Sequence, residues 1–481
     1  MGRSHEDTIC GVATPLGEGG IGIIRISGAD ALSVAEKVVR LRSRASLASV
    51  PSHTLHLADI VFPGSGGKRC EGQAESGLGE SGIIDEGLVV YMRSPKSYTA
   101  EDVVEIHLHG GTIVLGLVSA ACVASGARLS EPGEFSQRAF LNGRLDLSQA
   151  EAVLDTIRAK SEAGLRVAQR HLRGELGVEV TGLRASLLGL LSQVEAGIDF
   201  SEEDIRFVEG DVLCRSLETT IEAIYQMLKS SNRGIRLRDG ARVVISGPPN
   251  VGKSSVLNAL LGQERAIVTD IPGTTRDVIE ESIVCCGVRV TLVDTAGVRE
   301  TEDVVEREGI RRTRSAVDDA DLVVEVADAS QMGTAVGWSS VLAPGRAPEI
   351  VVVNKIDLVD EACVVRVVNL IRSSKERTVI AASVRRGDGL DKLREMIGVC
   401  LSGGSLEPDG GVVVMNLRHR DALDRARVAL ERGLEAVRMG AGLELVAADV
   451  RESADALGEV TGEITSEEIL NQIFSQFCIG K

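Results

Sequence analysis

The feature that most constrains the fold is a glycine-rich loop joining a β-branched run to a segment with helical spacing. The run ARVVISG spans 241–247, the loop GPPNVGKSS spans 247–255, and SVLNALLG follows at 255–262. In the pattern G-x-x-x-x-G-K-[ST], backbone N–H groups surround a β-phosphate, a lysine (here Lys253) reaches the β/γ oxygens, and a hydroxyl (here that of Ser254) binds Mg²⁺. The sequence therefore predicts a nucleotide-binding α/β domain.

Three further motifs follow in order, each at the end of a β-rich run. The aspartate of DTAG (294–297) can hold Mg²⁺ through a water, and its glycine N–H can sense a γ-phosphate. The aspartate of NKID (354–357) can accept two hydrogen bonds from guanine, whereas adenine lacks both donors. Ser383, Val384 and Arg385 occupy the place where a backbone N–H meets guanine O6. Together the motifs predict that the GTP-binding residues are Asn250, Val251, Gly252, Lys253, Ser254, Ser255, Asp294, Thr295, Ala296, Gly297, Asn354, Lys355, Asp357 and Ser383. The loop between the first two motifs is expected to add Thr269, Asp270, Ile271, Pro272, Gly273, Thr274 and Thr275.

The groups that would catalyse hydrolysis are less fixed by the sequence. TDIPGTTRD (269–277) contains a candidate switch threonine for Mg²⁺, Thr275, and a solvated loop is the alternative. Ras-like GTPases orient water with a glutamine after the DTAG glycine, but this chain has Val298 there. The acids of 298–308, such as Glu306, are either water-orienting groups or a solvated face. The Asn250 side chain is a candidate ligand for a monovalent cation that would replace an arginine finger.

The order along the chain of strand-like and helix-like hydrophobic patterns predicts a multidomain protein that combines α/β and α+β folds. Residues 1–142 mix short strands with a few helices, which is typical of an α+β domain. Helical stripes follow at 143–238 and return at 403–481, and 239–402 alternate strands and helices in a mostly parallel sheet. We therefore expect a Ras-like P-loop GTPase domain, hereafter the G domain, inserted into one all-α domain. Two separate helical domains are the alternative. The glycine-rich stretch 64–82 is predicted to be a surface loop.

Composition limits the partners and the compartment. The net charge of −17 excludes nucleic-acid binding through the whole surface, but leaves a local basic patch possible. The nine cysteines form no CxxC pair, which favours a reducing, cytoplasmic environment. The apolar run 113–127 is too short to span a membrane and is predicted to be a buried helix. The first ten residues lack the apolar segment of a secretory signal, and Gly480 and Lys481 fit a prenylation box poorly.

Four segments carry a family resemblance: ATPLGEGGIGIIRISG (13–28), PGEFSQRAFLNGRLDLSQAEA (132–152), the G-domain motifs with TDIPGTTRD, and the terminal FCIGK (477–481). Over essentially its whole length the chain resembles the tRNA-modification GTPase MnmE (TrmE) family. The resemblance implies a cytoplasmic homodimer with an N-terminal folate-binding and dimerisation domain. It also implies a complex with an MnmG-type flavoprotein, which carries FAD. That complex modifies C5 of the wobble uridine in certain tRNAs, using a tetrahydrofolate one-carbon unit to add an aminomethyl or carboxymethylaminomethyl group.

The resemblance also implies roles for individual residues. Folate would contact Arg25, Glu105, Arg144 and Lys481, where many family members have lysine in place of Arg144. Cys478 would lie near the folate in a catalytic role, and Glu306 would orient water. When two G domains meet, K⁺ would be bound by Asn250, Thr269, Ile271 and Thr274, and Mg²⁺ by Ser254 and Thr275.

Other interpretations stay open from the sequence. A ribosome-assembly GTPase would share the G-domain motifs but would need a basic RNA-binding domain. A regulatory GTPase switch would bind partners without taking part in modification. His107 and His109 form a weak metal motif, because an i, i+2 pair on a strand has no third ligand in view.

Overall fold

The computed structural model divides the chain into two compact units. Unit 1 consists of Met1–Leu154 and Gly458–Lys481, and unit 2 of Asp155–Leu457. The structure describes residues 7–63, 82–199, 210–262, 281–294, 317, 319–332, 348–374, 377–401 and 413–481.

The centre of unit 1 is a twisted sheet with strand order β3-β4-β5-β6-β2-β1-β7. Neighbouring strands are antiparallel except β1 and β7, which are parallel. The β-rich runs of the sequence at 21–28, 55–62, 87–93 and 101–111 correspond to β2, β4, β5 and β6. The strands are β1 Ile9–Val12, β2 Gly19–Ser27, β3 Val39–Leu41, β4 Leu55–Val61, β5 Ile83–Met92, β6 Val103–Gly110 and β7 Arg128–Leu129.

Helices cover the apolar face of this sheet. The buried core joins strand residues such as Ile24 and Ile106 to Leu115 and Val118 of the second helix. That helix is the one predicted over 113–127, and its apolar composition is explained by its position against the sheet. The helices of unit 1 are α1 Ala31–Val38, α2 Thr112–Ala124, α3 Glu134–Leu141, α4 Leu147–Arg158, which runs past the end of the unit, and α14 Glu467–Phe474.

The last residues of the chain fold onto the N-terminal part of unit 1. Phe474 and Phe477 pack with Leu147 and Leu154 in one apolar cluster. Gly480 has a φ of +90°, and a Cβ there would lie 2.0 Å from the Val12 carbonyl oxygen, so only glycine fits. The spacing of Leu147, Ala150, Leu154 and Ile157 predicts that they share one apolar face of a helix, but Ile157 is 49% exposed because the cluster ends at Leu154.

In unit 2 the central sheet has the order β13-β12-β11-β8-β10-β9. All neighbours are parallel except the β9–β10 hairpin. Valine and isoleucine side chains of the inner strands fill a core that the helices cover. The strands are β8 Ala241–Ser246, β9 Glu281–Cys285, β10 Val288–Asp294, β11 Leu322–Asp328, β12 Glu349–Asn354 and β13 Thr378–Ala381, and the helices α8 Lys253–Leu261, α9 Ala329–Met332, α10 Glu361–Ser374 and α11 Leu390–Leu401.

The helices before and after this sheet pack on each other. A Cβ on Gly234 of α7 would lie 2.0 Å from the carbonyl oxygen of Val414, just before α12. His171 Nε2 donates a 2.6 Å hydrogen bond to the Val413 carbonyl. These contacts confirm the predicted fold class, with a G domain inserted into one helical domain, while the residue boundaries of the domains stay predictions. The helices are α5 Glu162–Leu172, α6 Glu175–Asp199, α7 Gly210–Asp239, α12 Leu417–Arg438 and α13 Leu443–Thr461.

A buried ion cluster fixes α3 to the sheet of unit 1. Arg138 is 3% exposed, and its Nη2 donates to Asp7 Oδ1 at 2.6 Å and to Glu134 Oε1 at 3.1 Å. Its Nη1 lies 3.3 Å from Glu101 Oε1. Burial acts to raise the pKa of Asp7 and of Glu134, but hydrogen bonds from Arg128 and Arg138 outweigh it and lower both pKa values.

Replacing Arg138 by methionine should leave these carboxylates without their buried partner and destabilise unit 1 by about 3–5 kcal/mol. Because the folded pKa values of Asp7 and Glu134 are lowered, the stabilisation is present above their ordinary values and is lost as pH falls below about 4. Hydrogen exchange of the β1 and β6 amides reports the change in unit 1. The matched control is Arg42→Met, whose guanidinium pairs with Asp59 and Glu86 at the surface. Equal protection in the two variants would contradict the role given to Arg138.

Candidate functional site

The phosphate loop of unit 2 lies between β8 and α8, at the carboxyl end of the parallel strands. Gly247 and Gly252 have φ values of +143° and +97°. A Cβ on Gly247 would lie 2.3 Å from the Val326 carbonyl oxygen, and one on Gly252 would lie 2.5 Å from Asn354 Nδ2. Both positions therefore require glycine, and the loop is packed directly against the ends of β11 and β12.

Lys253 begins α8 and curls back over this loop. Its Nζ donates to the carbonyl oxygens of Gly247 at 3.0 Å and of Pro248 at 2.8 Å. Ser254 and Ser255 follow in the first turn, where helix N–H groups and the helix dipole favour an anion. The structure thus brings the predicted lysine, hydroxyl and amide donors together at one helix N-terminus.

Asn354, at the end of β12, joins the phosphate loop to the segment after β13. Its buried side-chain Nδ2 donates to the Val251 carbonyl at 3.0 Å, and its Oδ1 accepts from the Val384 N–H at 3.4 Å. The Asn354 side-chain amide therefore holds both loops in place, so the first residue of the NKID motif has a structural role.

Asp357 lies three residues past the end of β12, in the 3₁₀ turn Ile356–Leu358. Its Oδ1 accepts a 2.7 Å hydrogen bond from Ser383 Oγ, which lowers the pKa of the Asp357 carboxyl. The carboxylate is an acceptor only, as recognition of two guanine donors requires. The Ser383 N–H itself donates to the Asp388 carbonyl at 3.0 Å.

A residue absent from the sequence prediction completes this region. Asp328 ends β11, is 3% exposed, and its Oδ2 accepts from Lys355 Nζ at 2.8 Å. The same ammonium donates to the Asn250 carbonyl at 2.7 Å. Burial acts to raise the pKa of Asp328, but hydrogen bonds from Lys355 and Ser330 outweigh it and lower the pKa. The sequence could have indicated Asp328, because it is a carboxylate at the end of the apolar run LVVEVAD (322–328).

The predicted switch and catalytic residues of the G domain are not part of the described chain. Asp294 is described only through its backbone, which pairs with Ile245 at the end of β10. Those outside the described residues are Thr269, Asp270, Ile271, Pro272, Gly273, Thr274, Thr275, Thr295, Ala296, Gly297 and Glu306.

Unit 1 contains a cavity of about 470 Å³. Arg25 on β2 and Glu105 on β6 face each other across the strands, with Arg25 Nε 2.8 Å from Glu105 Oε1. Arg25 lies 4.9 Å, and Arg144 5.6 Å, from the centre of the Tyr98 ring. Three of the four predicted folate residues thus line one cavity, together with Tyr98, Lys96 and His53.

Lys481 and Cys478 lie on the C-terminal segment beside this cavity. The Gly480 carbonyl lies 3.4 Å from Arg25 Nη1, and the Lys481 N–H donates to the Cys478 carbonyl at 3.3 Å. Burial lowers the pKa of Lys481, and the positive charge of Arg25 lowers it further. Cys478 is exposed. The segment thus adds a cation and a thiol to the surroundings of the Arg25–Glu105 pair.

His107 and His109, the predicted weak metal motif, each lie beside a different carboxylate. His107 Nε2 lies 3.5 Å from Glu105 Oε2, and His109 Nδ1 lies 2.8 Å from Asp85 Oδ1. The hydrogen bond that His109 donates to Asp85 raises the pKa of the exposed His109 imidazole. No group of three or more His, Cys, Asp or Glu side chains suited to a metal occurs among the residues described. Within the same ranges, every helix is too short or too polar to cross a membrane.

Comparison with known families covers both units. The model of the GTP-binding protein TrmE N-terminus matches residues 8–144, and the MnmE helical domain model matches residues 147–478. The second match alone extends over more than half of the chain.

Individual relatives match over their full length. Proteins named tRNA modification GTPase MnmE are 45% identical in Heliobacterium modesticaldum, over 99% of both chains, and 45% identical in Chloroflexus aurantiacus, over 99% of this chain and 100% of the relative. Among solved structures, Aquifex aeolicus Era bound to GDP·AlF4⁻ is 27% identical over 39% of this chain and 66% of that chain, with a TM-score of 0.26.

Asp328→Asn should weaken GDP binding roughly five- to tenfold, because a neutral acceptor holds the Lys355 ammonium less strongly than a carboxylate. Since the pKa of Asp328 is lowered, the effect should be the same at pH 6 and pH 8. Titration with fluorescent GDP measures it, and Asp391→Asn, an exposed acid at the start of α11, is the matched control. Unchanged GDP affinity in a folded Asp328→Asn protein would remove this residue from the site.

Proposed function

The chain belongs to the MnmE family of tRNA modification GTPases, and we propose that it modifies C5 of the wobble uridine of certain tRNAs together with an MnmG-type flavoprotein. The enzyme hydrolyses GTP. In our proposal the added group is an aminomethyl or carboxymethylaminomethyl group, built from a tetrahydrofolate one-carbon unit. The observation that carries this proposal is the 45% identity that extends over 99% of both chains, through both sites and the helices between them.

The GTP half of the proposal rests on the phosphate loop and the NKID motif. Lys253 would neutralise the β/γ oxygens, and the ionised Asp357 would accept from the guanine N1–H and 2-amino groups. Ser254 and Thr275 would hold Mg²⁺. The carbonyl of Asn250 is fixed by Lys355 at 2.7 Å and its side chain is exposed, so the amide oxygen is a suitable cation ligand. With Thr269, Ile271 and Thr274 it would hold K⁺, which supplies positive charge beside the β/γ bridge, while Glu306 orients water.

The folate half rests on the cavity of unit 1. A pterin presents an N3–H and a 2-amino group, which a carboxylate binds in a bidentate manner, and Glu105 supplies that group. The anionic tail of folate calls for cations, and Arg144 lies at the surface of the same cavity. Tetrahydrofolate supplies a one-carbon unit when it is bound. We propose that Lys481 adds a further folate contact and that Cys478 has a catalytic role beside the folate.

The assembly that we propose is a cytoplasmic homodimer. Pairing of two G domains would complete the K⁺ site and so make hydrolysis depend on the partner copy. FAD would belong to the flavoprotein, because the G-x-G-x-x-G matches of this chain, at 17–22 and 77–82, lead into strands β2 and β5, whereas a dinucleotide-binding fingerprint opens a helix. The tRNA would bind through a local basic patch, since the net charge of −17 opposes general attraction to RNA.

Deleting the gene should remove the modified wobble uridine from bulk tRNA, as measured by mass spectrometry of nucleosides. The wild-type chain should restore it. Lys253→Ala, which loses the phosphate cation, and Glu105→Gln, which loses the bidentate carboxylate, should each restore less than about a tenth, since losing one charged contact removes 1.5–3 kcal/mol. Asp391→Asn serves as the folded control. An unchanged wobble uridine in the deletion strain would exclude the proposed function.

A further inference from the structure

The two charged residues that line the floor of the unit 1 cavity, Arg25 and Glu105, form one ion pair and together carry no net charge. Glu105, with 15% of its side chain exposed, forms an ion pair with Arg25, whose Nη2 lies 2.7 Å from Glu105 Oε1. The second carboxylate oxygen faces His107 at 3.5 Å. A ligand group bound at this depth therefore meets hydrogen-bonding partners without a large net charge, which suits a polar heterocycle.

The rim of the cavity is positive. Lys96, Arg144 and His53 are exposed lining residues, and Glu105 is the acidic residue among the described lining residues. Within the part of the chain that the structure describes, neither Lys96 nor Arg144 has a carboxylate partner within 4 Å. Arg144 instead lies over the Tyr98 ring at 5.6 Å, which restricts its guanidinium. Lys96 and Arg144 thus place two positive charges without a carboxylate partner at the rim of this cavity, although the net charge of the protein is −17.

This charge order, neutral inside and positive outside, fits a ligand with a polar head and an extended anionic tail. We propose that the cavity binds folate in its poly-γ-glutamyl form, with Lys96 and Arg144 contacting the carboxylates of the tail. The inference rests on the proposed folate function. Each γ-glutamyl residue adds one carboxylate, and a cation at the exposed rim can pair with it without displacing the head from Glu105.

The contribution of such exposed pairs is modest and depends on salt. Each is worth a small factor in affinity, so two together should favour a triglutamate over a monoglutamate by about three- to tenfold at low ionic strength. At about 0.5 M salt the preference should nearly vanish, because exposed charges are then screened within a few ångströms.

Calorimetric titration of the full-length protein with 5-formyltetrahydrofolate mono- and triglutamate tests the proposal. In wild type the triglutamate should bind about three- to tenfold more tightly than the monoglutamate, and in Lys96→Gln this ratio should fall to about one or two. Lys37→Gln is the matched control, because Lys37 is also exposed but donates to the Ser125 carbonyl outside the cavity lining. It should keep the wild-type ratio, and Arg144→Lys should keep most of it.

The outcomes separate the two proposals. If the monoglutamate does not bind wild type, the folate function itself fails. If it binds but the triglutamate binds no more tightly, the polyglutamate inference is overturned. If the preference persists in Lys96→Gln, another surface contacts the tail and the role of Lys96 is wrong.

Discussion

The nucleotide site depends on one ammonium group. Lys355 Nζ lies between the Asp328 carboxylate and the Asn250 carbonyl, at 2.8 Å and 2.7 Å, and so joins the base-binding segment to the phosphate loop. Both Asn250 and Lys355 adopt left-handed backbone conformations, with φ of +65° and +62°, which cost energy in a residue with a side chain. The hydrogen bonds of Lys355 and of Asn354 offset that cost. The segments proposed to contact the phosphates and the base are therefore positioned together, and the residue proposed to hold K⁺ is one of the two that the ammonium fixes.

In unit 1, charged side chains likewise join distant segments, here around the cavity proposed to bind folate. The Arg25–Glu105 pair spans β2 and β6, and the C-terminal segment reaches it through Gly480, the residue that fits beneath the Val12 carbonyl. The buried Arg138 cluster fixes α3, and Ser136 of α3 contacts the Tyr98 hydroxyl at 2.8 Å. Residues more than 300 positions apart along the chain thus meet at one cavity, and its neutral floor and positive rim follow from which ions are paired.

Motifs with a fixed geometry were predictable from the sequence, and contacts between distant segments were not. The phosphate loop, the NKID motif and the strands that lead into them were found because each has a characteristic spacing. β9 was missed because it is a five-residue edge strand, and its turn at Cys286 and Gly287, with φ of +49° and +83°, is marked only by the glycine. Asp328 was missed because its role depends on a contact with Lys355, which follows a different strand, β12. Arg25, Glu105 and Arg144 came from family resemblance, since no local pattern brings β2, β6 and the turn between α3 and α4 together.

The central claim is that a monovalent cation at Asn250 supplies the charge that hydrolysis of GTP requires. Steady-state GTP turnover of the full-length protein in K⁺ and in Na⁺ at equal ionic strength, with Asn250→Ala alongside, tests it most directly. Wild-type turnover should be at least about tenfold faster in K⁺, a small part of the 10³–10⁵ that an arginine finger supplies, and Asn250→Ala should lose this difference. Equal wild-type rates in the two salts would contradict the account.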